Sequence, residues 1–341
     1  MSKLDITTAI NTFAELGEQL ASPDAQLMNL IASERQYNAW FTPESVLRAV
    51  IATGKMLNPT DLEQWLNRYN LKNGESKKVG LVLAGNIPLV GFHDVLCVML
   101  TGNHALIKAS SQDSRLIKYV LSKLVDLQTS YKEQFSFVER LECFEAIIAT
   151  GSNNTSRYFE YYFGKVPNII RKNRNSIALL TGNESAEDLF NLGHDIFDYY
   201  GLGCRNVSKL LVPGGYDFNF FFESIEAHSD IINHHKYNNN YDYNKSIYLV
   251  NGDKHLDNGF LLVKQDDRLV SPLAVLFYDT YTTLPSAQQM LAGQSEQLQC
   301  VVTKADIQLP NQIVGFGQSQ HPQLWDYADG VDTMQFLCAL S

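Results

Sequence analysis

The chain has 341 residues, 45% of them hydrophobic and 19% charged. That is enough apolar surface for sizeable cores in two domains of roughly 100–200 residues each, and too much for a largely disordered protein. Twenty-seven Lys and Arg against 37 Asp and Glu give a net charge of −10, which opposes nonspecific binding to nucleic acid or to an anionic membrane.

Along the chain, residues 1–17 carry Lys3, Asp5 and Glu15 and lack the unbroken apolar core of a signal peptide. From Leu4 to Leu71 apolar residues recur at helical spacing, as in Leu27, Leu30 and Ile31, and Thr42-Pro43-Glu44 reads as a helix start. A polar break at 74–78 precedes a strand, Val79 to Ala84, ending in Gly85-Asn86. The longest apolar region, Val79 to Leu100, is interrupted by Asn86, Pro88, His93 and Asp94, so it reads as buried soluble structure and not as a membrane span. A strand at Ala105 to Lys108 and a helix from about Asp113 to Leu127 complete a βαβ unit. Phe144 to Ala149, Asn168 to Ile170 and Ile177 to Leu180 read as further strands of a parallel α/β sheet. Past Cys204 the rhythm repeats with a strand at Lys209 to Val212, a helix at Asp217 to Ala227, and strands at Ser246 to Val250 and Ala274 to Phe277. The Asn- and Tyr-rich stretch 237–244 reads as an exposed loop.

The five cysteines, Cys97, Cys143, Cys204, Cys300 and Cys338, include no CxxC pair, so neither a disulfide framework nor a zinc cage is indicated and a reducing, cytoplasmic compartment is expected. No HExxH or paired histidine spacing occurs, and no metal is proposed. Cys204 stands apart in Tyr199-Tyr200-Gly201-Leu202-Gly203-Cys204-Arg205-Asn206. The glycines allow close approach of a ligand, and Arg205 adds charge that favours thiolate. The other four cysteines read as packing residues. Thr150-Gly151-Ser152 after a strand fits either a phosphate-binding turn or a plain connector. Lys108 at a strand end fits a ligand contact or a snorkelling surface lysine. Asn86 fits an oxyanion donor or an Asx turn before Ile87-Pro88.

In order, Ala84-Gly85-Asn86-Ile87-Pro88, Ala105-Leu106-Ile107-Lys108-Ala109-Ser110, Ile148-Ala149-Thr150-Gly151-Ser152 and Gly203-Cys204 resemble the aldehyde dehydrogenase superfamily. Val270-Ser271-Pro272 is similar to that superfamily's Phe-Gly-Pro strand. The segment around Cys204 and residues 326–332 resemble the acyl-CoA reductases related to the luciferase-operon fatty acid reductase subunit. The resemblance implies an α/β fold with a Rossmann-type cofactor domain at 1–178, including a helical N-terminal segment, a catalytic domain at 179–325 and a C-terminal tail at 326–341. It assigns Cys204 as nucleophile, Asn86 as oxyanion donor, and Lys108, Ser111, Thr150, Gly151 and Ser152 to the cofactor. In NAD-preferring relatives a carboxylate stands where Ser111 is here, so NADPH is expected.

The superfamily's Glu-Leu-Gly-Gly-Lys segment is replaced by Arg171-Lys172-Asn173-Arg174-Asn175. Without that water-activating glutamate an acyl-enzyme survives to accept hydride, which suits reduction of an acyl-CoA or acyl-carrier thioester, with fatty acyl chains implied, to an aldehyde. Glu184 is the remaining candidate base. Four residues before Pro272 stands Arg268 instead of the family's glutamate, with Asp267 beside it as a candidate cofactor contact. Alternatives are an acyl-phosphate reductase such as a glutamyl phosphate reductase, or a silent subunit of an acyl-transfer complex. A homo-oligomer and an acyl-transferring partner protein are both compatible with the resemblance.

Overall fold

The computed structural model describes residues 6–71, 75–151 and 153–340. They form two compact units, one of residues 6–173 and 323–340, the other of residues 174–322.

The first unit opens with four helices, α1 (Ile6–Ala21), α2 (Ala25–Ser33), α3 (Pro43–Met56) and α4 (Pro59–Leu66). Their starts are chemically marked. Thr42 and Asn58 accept hydrogen bonds from the backbone N–H groups of Ser45 and Asp61, and Pro43 and Pro59 take the first helical positions, where a missing N–H costs nothing. A Cβ on Gly17 would lie 2.7 Å from the Gly54 carbonyl oxygen, so glycine is what lets α1 and α3 approach backbone to backbone. There follow β1 (Lys78–Val82), α5 (Phe92–Leu100), β2 (His104–Lys108), α6 (Ser114–Leu127), β3 (Phe135–Phe137), β4 (Ala146–Thr150), α7 (Asn153–Phe163) and β5 (Asn168–Arg171). The strands pair in parallel in the order β3-β2-β1-β4-β5. Val79, Leu81, Ala105, Ile107, Ala146 and Ile148 are buried in one continuous core with the helices. This explains the unbroken apolar strand sequences, since a parallel sheet is covered on both faces.

The second unit contains β6 (Asn175–Leu179), α8 (Ala186–Phe197), β7 (Val207–Pro213), α9 (Phe218–Ile225), α10 (His235–Asn251), β8 (Leu256–Asp257), β9 (Leu262–Gln265), β10 (Val275–Tyr281), α11 (Leu284–Gly293), β11 (Leu298–Val302) and β12 (Gln312–Val314). Its sheet runs β12-β11-β6-β7-β10-β9-β8, parallel except for the terminal β8. Alternation along β7 feeds both faces: Leu210 and Val212 join one core with Leu192, Phe221 and Leu276, and Leu211 joins another with Ile177, Leu291 and Val301. The last helix, α12 (Thr333–Cys338), belongs to the first unit.

Five sequence expectations are corrected. The boundary falls at 173/174 and not near Leu179, because β6 pairs with β7 and β11 of the second sheet. Residues 323–340 are not a separate tail. His93 Nε2 meets the Leu324 carbonyl at 2.8 Å, Trp65 Nε1 donates to the Tyr327 hydroxyl at 2.7 Å, and the Tyr69 hydroxyl donates to Asp332 at 2.8 Å. The stretch 237–244 is helical, not a loop, and the strand expected at 246–250 continues the same helix α10. Cys143, read as a packing residue, is exposed.

Beneath these contacts Asp94 of α5 and Arg171 at the end of β5 form a buried two-pronged ion pair, with Nη2 2.7 Å from Oδ1 and 3.1 Å from Thr333 Oγ1 of α12. Removing one partner strands a charge in the core, whereas removing both does not. Asp94→Ala is expected to cost about 3–5 kcal/mol in urea unfolding, and Asp94→Ala/Arg171→Met less than the single change. A double variant at least as unstable as the single one would show that the pair is not the source of the loss.

Candidate active site

In the first sheet the strand order reverses direction between β1 and β4, so the loops leaving their carboxyl ends diverge and open a crevice, the place where such sheets hold dinucleotides. The residues expected to bind cofactor gather there. Lys108 ends β2, exposed, with Nζ donating to the Glu139 carbonyl at 2.7 Å. Ser111 is exposed on the following turn, and Thr150 and Gly151 end β4 just before α7. Ser152 lies outside the described residues. Asn86 is exposed on the loop after β1. Exposed polar groups on one side and a glycine turn on the other suit a dinucleotide, and no carboxylate stands at Ser111 to meet a 2′-phosphate.

Two of these loops are locked together by groups that sequence reasoning passed over. A Cβ on Gly85 would lie 2.3 Å from Ser110 Oγ, so only glycine lets the β1 loop lie on the β2 loop. The Leu89 N–H donates to Asp113 Oδ2 at 2.7 Å, holding Leu89 at a φ of +59°. Asp113 is buried, and its Oδ1 has no hydrogen-bond partner among the described residues. Its only sequence signal is an Asp immediately before a helix. Burial, reinforced by Glu34, pushes its carboxyl up to about 8, against the Leu89 hydrogen bond that pulls it down.

The ordinary value is 3.8, so between pH 4 and pH 8 the folded chain keeps a proton that the unfolded chain has lost. The stability this proton confers is complete below about pH 4 and disappears as the pH rises through about 8. Asp113→Asn cannot ionise. Its urea midpoint should therefore gain on the wild type's as the pH rises from 5 to 8, and parallel midpoints would contradict a buried neutral Asp113.

In the second unit Cys204 is exposed on the turn that enters β7, at the amino ends of β6 and β7. The chain reaches it through three successive left-handed residues, Tyr199 (φ +53°), Tyr200 (+60°) and Gly201 (+76°). For the two tyrosines this conformation costs about 1–2 kcal/mol each. The turn closes on itself, the Asn206 N–H donating to the Gly203 carbonyl at 3.1 Å and the Gly203 N–H to Asn206 Oδ1 at 2.9 Å. Ser176 Oγ donates to the Cys204 carbonyl at 3.0 Å and lies 3.1 Å from Cys300 Sγ.

Cys300 itself is wholly buried on β11, and burial pushes its thiol up to about 11, which suits packing and not nucleophilic attack. Arg205, expected to favour the Cys204 thiolate, turns its guanidinium to Gln312 Oε1 at 2.9 Å and the Ser319 carbonyl. Glu184 is occupied in its own turn, accepting from the Thr181 N–H and hydroxyl and the Gly182 N–H at 2.6, 2.8 and 3.0 Å. The Asp267 carbonyl accepts a 2.9 Å bond from buried Lys209, whose ammonium is depressed by desolvation. Among the described residues no group of three or more His, Cys, Asp or Glu is placed to hold a metal ion, and no helix is long and apolar enough to cross a membrane.

Residues 16–160 match the family model described as Acyl-CoA reductase (LuxC). No curated protein sequence matches the chain. Aldehyde dehydrogenase 21 from Physcomitrella patens, solved with the reaction product succinate, has a TM-score of 0.71 at 11% identity, covering 100% of this chain and 85% of that one. The P. syringae indole-3-acetaldehyde dehydrogenase AldA, solved with NAD+ and IAA, gives 0.65 at 11% identity over 92% and 77%. An E. coli NADP dependent enzyme gives 0.66 at 12% identity over 92% and 78%. At these identities the likeness establishes the fold alone. The chain has the aldehyde dehydrogenase fold, and its residues 16–160 are similar to the acyl-CoA reductase family.

Proposed function

We propose that the chain reduces an acyl-CoA thioester, of the fatty acyl class implied by its sequence motifs, to the aldehyde at the expense of NADPH, with Cys204 as the acyl carrier. The observation that supports this most is the exposed thiol on a clamped turn, against a Cys300 thiol buried in the sheet.

The Cys204 thiolate attacks the thioester carbonyl, the tetrahedral oxyanion collapses, the carbon–sulfur bond to CoA breaks, and CoA leaves with the electron pair. NADPH, held by Lys108, Ser111, Thr150 and Gly151, supplies the hydride. Cys204 carries the resulting thiohemiacetal, whose alkoxide re-forms the carbonyl and expels the cysteine thiolate, so that aldehyde and free enzyme result. Asn86 is assigned to the developing oxyanion on its sequence motif. Exposed Ser111 supports NADPH because its hydroxyl neither repels nor crowds a 2′-phosphate. The replaced glutamate and the occupied Glu184 carboxylate both disfavour hydrolysis of the acyl-enzyme.

The following measurements test the reading. With acyl-CoA and no cofactor, the wild type should release about one equivalent of CoA per chain and then slow sharply, since unassisted water forgoes the 10²–10⁴-fold help, roughly, of a general base. Cys204→Ala should release none and consume no NADPH while still binding it. Continued release of free acid without cofactor, or NADPH consumption by Cys204→Ala, would overturn the mechanism. Ser111→Glu should move cofactor preference toward NADH by like-charge repulsion; an unchanged preference would remove Ser111 from the cofactor site. Replacing acyl-CoA by an acyl phosphate in the same assay distinguishes the two substrate classes.

A further inference from the structure

We infer that Asn206 is the positioning residue of the Cys204 thiol, an inference that rests on the reading of Cys204 as acyl carrier. A helix ends with carbonyls that have no partner within the helix. At the end of α8 three carbonyls, of Asp195, Ile196 and Asp198, converge on the side-chain amide of Asn206, with Nδ2 at 3.2, 3.4 and 2.7 Å. Its Oδ1 accepts the Gly203 N–H at 2.9 Å, and its own backbone N–H donates to the Gly203 carbonyl. Asn206 is 3% exposed, so these partners are not competed for by solvent.

The two ends of this amide do different work. The nitrogen fixes the end of α8 across the left-handed segment 199–201, and the oxygen fixes the turn that bears the thiol two residues away. The other anchor, Ser176 Oγ on the Cys204 carbonyl, comes from β6. Cys204 is thus held from a helix end on one side and a strand on the other.

No other residue type meets this demand. Aspartate keeps the acceptor for Gly203 but sets a carboxylate against three carbonyls. Serine has one hydrogen to offer and does not reach. Glutamine offers the same groups one methylene too far. Reaction needs the sulfur held at attack geometry, and a shift of about 1 Å lowers the rate on the order of 100-fold.

The test uses the full chain with dodecanoyl-CoA as probe, following the CoA burst without cofactor, KM for the thioester in turnover, NADPH affinity by fluorescence and secondary structure by circular dichroism. Asn206→Asp and Asn206→Ala should bind NADPH within about twofold of wild type and keep KM within about threefold, while the burst slows on the order of 100-fold. Tyr200→Gly/Asn206→Ala, with Tyr200→Gly as its reference, relieves one strained residue. A residue that only compensates strain would be dispensable there, so a restored burst rate overturns the proposal and a burst still slowed about 100-fold supports it. A double variant that does not fold overturns it as well, since Asn206 would then be a determinant of the fold and not of thiol placement. A wild type that shows no burst at all fails the Cys204 reading itself, whereas a Cys204-dependent wild-type burst shared unchanged by the Asn206 variants fails only this inference.

Discussion

Parallel strands cannot be joined by hairpins, and each must be left through a crossover that starts at its carboxyl end. That constraint places the candidate cofactor residues of the first unit. Once β1, β2 and β4 lie side by side in one direction, the segments leaving them, with Asn86, Lys108, Ser111 and Gly151, fall at one edge of the sheet wherever they stand in sequence. The strands are bound to be apolar because helices cover both faces, so polar and glycine residues at their ends stand out. The close seating of Gly85 on Ser110 and the Leu89–Asp113 hydrogen bond then convert two separate loops into one rigid surface.

The second unit solves a different problem at the opposite end of its strands. Cys204 precedes β7, in the connection that leaves α8 at Phe197 and enters β7 at Val207. The chain takes it through consecutive left-handed residues, two of them tyrosines. Strain of this kind persists only where surrounding contacts over-determine the backbone. Here those contacts include side-chain hydrogen bonds from Asn206 and Ser176, both buried, together with the Tyr200 ring against His234, 4.3 Å between centroids. Rigidity is thereby concentrated at the one thiol that is both exposed and flanked by glycine. Cys300, a short distance away through Ser176, is sealed into the sheet.

Much of the architecture was legible in the sequence because it is carried by apolar period and turn chemistry. Val79 to Ala84, Ala105 to Lys108 and Lys209 to Val212 read as strands for the physical reason that they are buried on both faces. α10 was illegible for the converse reason. Its buried face consists of Tyr237, Tyr241, Asn244 and Tyr248, whose burial depends on polar ends finding partners: Tyr237 on the Phe260 carbonyl, Tyr241 on Asp257 and Asn244 on the Leu273 carbonyl. A hydrophobic pattern does not register such a face. The same limit hid Asn206 and Asp113, since a lone amide or carboxylate reveals its role only through carbonyls and N–H groups that are distant in sequence or carry no side-chain signature.

The proposed chemistry centres on a single atom, Cys204 Sγ. The most direct measurement is the mass of the intact protein, followed by peptide mapping, after brief incubation with dodecanoyl-CoA and no cofactor. One dodecanoyl group per chain, located on the peptide carrying Cys204 and discharged when NADPH is added, is the expected result. An acyl group on Cys143, Cys300 or any other residue, or aldehyde formation with no acyl adduct at any time, would contradict it.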